Sequence, residues 1–255
     1  MITINNYASG SSGNCYIVKN ENTAILLECG VDADTLINNI LYKSNNRMTL
    51  AQLDGCLISH KHSDHLGFGK YETIRKVNQY TKVYACQNVY DKYTFDGFII
   101  CDNLNFTIGT IRIKAIAVNH GKTPCYAFIF KDNESTIFWG TDFIGFKTLN
   151  LSKFQFTEIF IEVNYITEKL QALLEKSIEE EDTTKEYKFT RQLNTHMSLY
   201  NCITYFLKEW DLSKCKRITA LHVSKEAGDV KVIKETIEKC IGIECFVADW
   251  KGGLI

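Results

Sequence analysis

The sequence predicts an α/β protein in which β-sheets pack together and helices lie outside them. Two β-rich blocks are each followed by segments with helical spacing of apolar residues. The chain is also long enough, at 255 residues with 45% hydrophobic, to bury a sizeable core. Residues 1–255 read as a single domain with no internal sequence repeat. Composition excludes a disordered chain, a collagen-like repeat and a coiled coil. With a single Pro, the turns must rest on the 15 Gly and on Asn.

Taken in order, Ile2–Tyr7 reads as a strand, Ala8–Asn14 as a tight Gly/Ser loop, and Cys15–Lys19 with Thr23–Glu28 as a hairpin. From Asp32 to Tyr42, Leu36, Ile37, Ile40 and Leu41 give helical spacing, with Asp32 or Asp34 as the cap. Gly55–Ser59 is a short apolar strand that runs into a His-rich loop; Gly69–Tyr80 reads as helix and Lys82–Cys86 as extended chain. Strands follow at Leu104–Ile108, Thr110–Val118, Cys125–Lys131, Ser135–Trp139 and Ile159–Val163. Helices are expected at Thr167–Asp182, Leu199–Trp210 and Val230–Ile241, with strands at Ile218–Leu221 and Glu244–Ala248. The pattern leaves strand order open.

Charge narrows the function. Lys and Arg total 29 against 30 Asp and Glu, a net charge of −1, so no global field grips long nucleic acid. The basic residues are dispersed, and the stretch Glu168–Asp182 is acidic, a place where a polyanion would not dock. Met1–Asn6 lacks the basic and apolar blocks of a signal peptide, and no apolar run nears the ~18 residues of a membrane span. The ten Cys include no Cys-x-x-Cys pair and sit mostly in apolar stretches, as reduced, buried residues of a cytosolic protein would.

Three of the six His fall in His60-Lys61-His62-Ser63-Asp64-His65. In extended chain, residues i and i+2 point the same way, so His60 and His62 can chelate one ion, while Asp64 and His65 leave at another angle and could serve a second. Imidazole with carboxylate suits zinc, iron or manganese, and without paired thiolates a structural zinc is removed.

This His-x-His-x-Asp-His run after an apolar strand resembles the motif of the metallo-β-lactamase fold hydrolases. Further matches come in that family's order: Asn119-His120-Gly121, Trp139-Gly140-Thr141-Asp142, and His222 before Val223-Ser224, which is similar to the ribonuclease Z branch. Ala8–Tyr16, Glu162-Val163-Asn164-Tyr165 and His196-Met197-Ser198-Leu199 resemble YycJ-type hydrolases of that branch, to which the cyclic-nucleotide phosphodiesterases that phages use against Pycsar defence are also similar.

The resemblance implies a four-layer αββα sandwich with two divalent cations, zinc or else manganese. His60, His62 and His120 would hold one ion, Asp64, His65 and His222 the other, with Asp142 bridging. It implies a second role for Asp64 in the reaction, and for His196 a place beside the scissile phosphate, stabilising charge or protonating the leaving oxygen. Where many relatives have Asp, this chain has Glu28 before Cys29-Gly30, which would orient metal histidines from behind. Ser11, Ser12, Asn14 and Asn164 are candidate substrate contacts, as is Asn119, and Tyr16, Phe143, Phe146 and Tyr165 are candidate stacking rings. Relatives are often homodimers.

The chemistry expected is a hydroxide shared by cations roughly 3.5–4 Å apart attacking phosphorus in line. Dispersed positive charge tilts the substrate towards a small cyclic nucleotide and a role in phage counter-defence in the host cytoplasm. A YycJ-type single-stranded DNA or RNA nuclease is the alternative. A binding module with a dead site is the third reading, against which all seven ligand positions carry competent residues.

Overall fold

The computed structural model describes residues 1–42, 47–91, 93–146 and 151–255. Among these described residues, thirteen strands form two sheets. The first holds β1 (Thr3–Ala8), β2 (Cys15–Lys19), β3 (Ala24–Leu27), β4 (Gly55–Leu57), β5 (Val83–Cys86) and β6 (Gly97–Ile100), side by side in chain order. The second holds β7 (Asn105–Ile108), β8 (Ile111–Val118), β9 (Cys125–Lys131), β10 (Thr136–Gly140), β11 (Glu158–Glu162), β12 (Arg217–Leu221) and β13 (Cys245–Val247), also in sequence. Each sheet begins antiparallel and ends parallel: β3 to β6 in one, β10 to β13 in the other. The sequence shows no repeat, yet the two halves share this plan.

Helices cover both outer faces. In chain order they are α1 (Ser63–Leu66), α2 (Phe68–Asn78), α3 (Gln87–Tyr90), α4 (Thr167–Glu179), α5 (Thr183–Thr195), α6 (Leu199–Asn201) and α7 (Val230–Ile241). Thr35–Tyr42 and Cys202–Leu207 are wound as wider helical turns. Period-two alternation builds the layers. Phe128, Phe130, Ile137, Trp139 and Phe160 point from the second sheet into the core shared with the first sheet. Their neighbours Ile129, Phe138, Ile159 and Ile161 point the other way, against Phe206, Trp210, Ile233 and Ile237. Two sheets between two helical layers make the αββα sandwich.

Two elements differ from the sequence reading. The stretch 183–195 is a helix of its own, separated from α4 by a turn in which Glu181 has φ 55°. Gly97–Ile100 is an edge strand, with Phe98 and Ile99 about half exposed. The cysteines are all free, and Cys101 and Cys240 are exposed rather than buried. Among the described residues, no helix is long and apolar enough to cross a membrane.

Candidate metal centre

β4, β8, β10 and β12 all end at one edge of the sandwich, and the residues just beyond them converge there. β3 and β4 run parallel with Leu27 opposite Leu57, so Glu28 and Ser59 emerge side by side. β11 and β12 pair Glu162 with Leu221, and β10 ends at Gly140 beside Ile161. Glu28, Asp142 and His222 each leave their strand with positive φ, 63°, 55° and 54°. Among the described residues, three of the six non-glycine residues with such backbone are therefore at this edge, where the surroundings must hold a strained conformation. Gly30 lets the loops close, since a Cβ there would lie 1.7 Å from the Asp64 carbonyl oxygen.

His60, His62 and His120 form one cluster, with ring nitrogens within 4.8 Å of one another. His60 Nε2 lies 2.9 Å from His62 Nδ1, and His120 Nε2 lies 3.3 Å from it. Asp142 sits at the centre of the rest. Its Oδ2 is 2.6 Å from His65 Nε2 and 3.8 Å from His60 Nε2; its Oδ1 is 2.8 Å from His222 Nδ1 and 3.2 Å from His196 Nδ1. Asp64 Oδ2 lies 3.6 Å from His65 Nε2. His65 and His222 thus meet through the Asp142 carboxylate, and all seven candidate ligands lie in one place.

Supporting residues hold the rings. Glu28 is fully buried; its Oε1 accepts a hydrogen bond from Ser59 N at 3.0 Å and its Oε2 lies 3.1 Å from His65 Nδ1. Ser59 Oγ is 2.9 Å from His60 Nδ1, the Thr195 carbonyl is 3.0 Å from His120 Nδ1, and Thr141 Oγ1 is 3.1 Å from His222 Nδ1. Ser59, Thr141 and Thr195 carry no sequence signal of their own beyond standing next to His60, Asp142 and His196. Glu162 is fully buried, with Oε2 accepting from Phe143 N at 2.7 Å and Oε1 lying 2.6 Å from His196 Nδ1. Its motif stands out in the sequence, but its role does not.

Electrostatics fits the cluster of His60, His62 and His120 to a cation, whereas at His65 burial opposes a charge but the carboxylates of Glu28, Asp64 and Asp142 raise the pKa well above its usual value. Burial pushes the His60 imidazole well below its usual pKa, with the charge of His65 adding to it, and burial pushes His120 down to about 4. His62 is lowered, again chiefly by burial. These rings are neutral at pH 7, the form that binds metal. Burial alone would raise Asp142, but the imidazoles of His222 and His65 hold it ionised. Imidazole nitrogens around a buried carboxylate match zinc, iron or manganese.

Other candidates move. Asn14 is fully buried; its amide bridges Gly10 and lies 3.1 Å from His65 Nε2, so it braces the loop and the ring instead of facing substrate. Asn164 spends both side-chain atoms inside, donating to the His222 carbonyl and accepting from Gln192, although its edge lines a cavity. Asn119 pairs its backbone with Gly145 and Ile144. Tyr16, Phe143 and Tyr165 are buried and Phe146 is packed into the core under the second sheet, because strand and loop spacing turned them inward. Ser11 and Ser12 are exposed at the site, and the ring that reaches it is Trp250 near the C-terminus.

Two sheets between helical layers, with histidines and an aspartate gathered at the strand ends, define an αββα sandwich with a candidate metal centre. The family model described as the beta-lactamase superfamily domain matches residues 23–204, and the chain belongs to that superfamily. Among solved structures, the metallo-beta-lactamase fold protein YhfI from Bacillus subtilis is similar at TM-score 0.71 and 15% identity, over 100% of this chain and 99% of that one. A diphosphatase from the PhnP family aligns at TM-score 0.65 and 13% identity, over 100% and 97%. Human tRNase Z, short form, aligns at 0.63 and 14%, over 99% and 98%. At such identities the likeness is one of fold. No curated protein sequence matches the chain.

Proposed function

We propose that the protein is a dinuclear-metal phosphodiesterase that opens the phosphodiester of a cyclic nucleotide. The observation that carries this reading is the Asp142 carboxylate, buried among the imidazoles of His65, His196 and His222, at the wall of a cavity of about 420 Å³. That volume lies within the range of a pocket for one small ligand. Structural neighbours named as a diphosphatase and a tRNase support phosphate ester chemistry. His60, His62, Asp64, His65, His120, Asp142 and His222 would hold the divalent cations, which when bound would supply Lewis acidity and make water nucleophilic near neutral pH.

The protein's own groups complete the reaction. Hydrolysis adds OH to phosphorus and H to the leaving oxygen. Burial opposes a charge on His196, but the carboxylates of Glu162 and Asp142 overcome it and raise the pKa to about 10. With Nδ1 turned to those carboxylates, Nε2 is the atom that gives its proton to the leaving oxygen. The ring lines the same cavity as His62, Asp64 and His120. An enzyme of this kind clears a cyclic-nucleotide signal from the cytosol, the role that the similarity to the phage anti-Pycsar enzymes implies.

A second reading, a nuclease on single-stranded DNA or RNA, is favoured by one observation: Lys188, Arg191 and Lys225, far apart or unremarkable in the sequence, line one cavity. The test incubates purified protein and Mn²⁺ or Zn²⁺ with cyclic nucleotides, labelled oligonucleotides and bis(p-nitrophenyl) phosphate. Cyclic-nucleotide opening that disappears in Asp142→Asn is the expected result. Cleavage of oligonucleotides alone reverses the ranking, and no phosphodiester cleavage at all overturns the enzyme.

A further inference from the structure

Beside the metal centre lies a second cavity of about 210 Å³, and the two share Ser11, Arg191, His196 and His222 in their walls. The second cavity is cationic. Lys188 and Arg191 are three residues apart on α5, so one face of the helix presents both, and Lys225 reaches in from the loop after β12. Among the described residues, Glu226 is the one acidic residue in its lining, and it is paired with Lys188. Arg191 and Lys225 are in no ion pair among the described residues. Instead, Lys225 Nζ sits 3.4 Å from the centre of the Trp250 ring.

The metal ligands do not need these cations. Cations held without carboxylates beside a phosphate site attract an anion, and a guanidinium with a lysine and a serine hydroxyl suits phosphate oxygens. A cyclic mononucleotide has one phosphate, which the metal centre would take. From this we infer that the cavity of Lys188, Arg191, Lys225 and Trp250 is a second-phosphate subsite, and that the nucleotide cleaved carries a second phosphate next to the scissile one. This rests on the phosphodiesterase reading and sets the size of its substrate. A cyclic dinucleotide and a linear oligonucleotide both contain that pair of phosphates.

The subsite can be tested without the metals. Of the three tryptophans, Trp139 and Trp210 are buried and Trp250 is 42% exposed, so quenching of fluorescence reports on this cavity. With chelator present, adenosine 3′,5′-bisphosphate should quench wild-type protein saturably, whereas adenosine, which has no phosphate, should not. The double variant R191A/K225A should weaken the bisphosphate by roughly tenfold or more, the scale of a lost charge-assisted contact. Trp250→Phe should remove the signal while calorimetry still detects binding. With Mn²⁺, kcat/KM is then compared for a 3′,5′-cyclic mononucleotide, a cyclic dinucleotide and a 5′-phosphorylated linear dinucleotide. The two-phosphate substrates should be preferred, and R191A/K225A should lose that preference; cyclic and linear arms identify the source. Equal quenching by adenosine and the bisphosphate, or a double variant that weakens all substrates alike, overturns the subsite. Failure to cleave bis(p-nitrophenyl) phosphate or any nucleotide overturns the phosphodiesterase reading, while the fluorescence titration still decides the subsite.

Discussion

Glu28 occupies a left-handed backbone position and spans from Ser59 N to His65 Nδ1, so one carboxylate fixes both the loop and the ring. Replacing it with Gln keeps the shape and removes the charge that draws the Nδ1 proton. Loss of such support typically costs 10–100-fold in metal affinity, and Glu28→Gln should fall in that range of roughly 10–100-fold by chelator competition. An unchanged affinity would show that Glu28 only packs. The pair of His196 and Glu162 gives a second prediction, with a sign. His196 is raised from 6.5 to about 10 in the folded metal-free protein, and its surroundings include Asp142 and the rings of His120 and His222. A raised imidazole stabilises fully below its unfolded pKa of 6.5 and loses that contribution as pH climbs through about 10. The thermal midpoint of chelated wild-type protein should therefore exceed that of Glu162→Gln at pH 6 and converge with it towards pH 10. A difference independent of pH would contradict the charge pairing.

α5 carries Lys188, Arg191, Gln192 and Thr195 to the site, and a satellite apolar cluster holds it there. Phe189 from α5 packs with Tyr165, Leu170 and Ala227, and with Leu173, Leu174 and Leu193 around them. Phe189→Ala removes the centre of that cluster, a truncation worth about 3–5 kcal/mol when buried. The expected result is faster hydrogen exchange confined to α4 and α5 and weaker substrate binding, with Zn²⁺ still bound through the loop after β4. Exchange rising evenly over the whole chain would show that the helical pair is not a separate unit. This element was the least legible in the sequence. Its apolar positions are few and Tyr187 is exposed, so no continuous stripe marks a helix. Without that helix, Lys188 and Arg191 read in the sequence as dispersed charge. The ligand histidines were legible because each follows a short apolar strand, whereas the positive φ at Asp142 and His222 depends on neighbours no local pattern records.

Across the whole molecule, the candidate ligands are divided between the two sheets. His60, His62, Asp64 and His65 follow β4 of the first, whereas His120, Asp142 and His222 follow β8, β10 and β12 of the second. The shared core below joins the same sheets through Trp139, whose ring is 5.4 Å from Tyr16 and 6.1 Å from Phe128. Ions held at this edge would tie the sheets together at the point where His60 and His65 meet Asp142 across them. Binding to the folded state alone stabilises by about 2.7 kcal/mol at a hundredfold excess over Kd. For a chain of this size that is several degrees, at roughly 2–4 °C per kcal/mol. Chelation should lower the thermal midpoint by that amount and Zn²⁺ or Mn²⁺ should restore it. Because each ion would draw ligands from both sheets, His60→Ala on one side and His222→Ala on the other should each remove most of the increment. If variants on only one sheet mattered, the ions would belong to a single loop. The edge where the sheets meet would then owe its stability to packing alone.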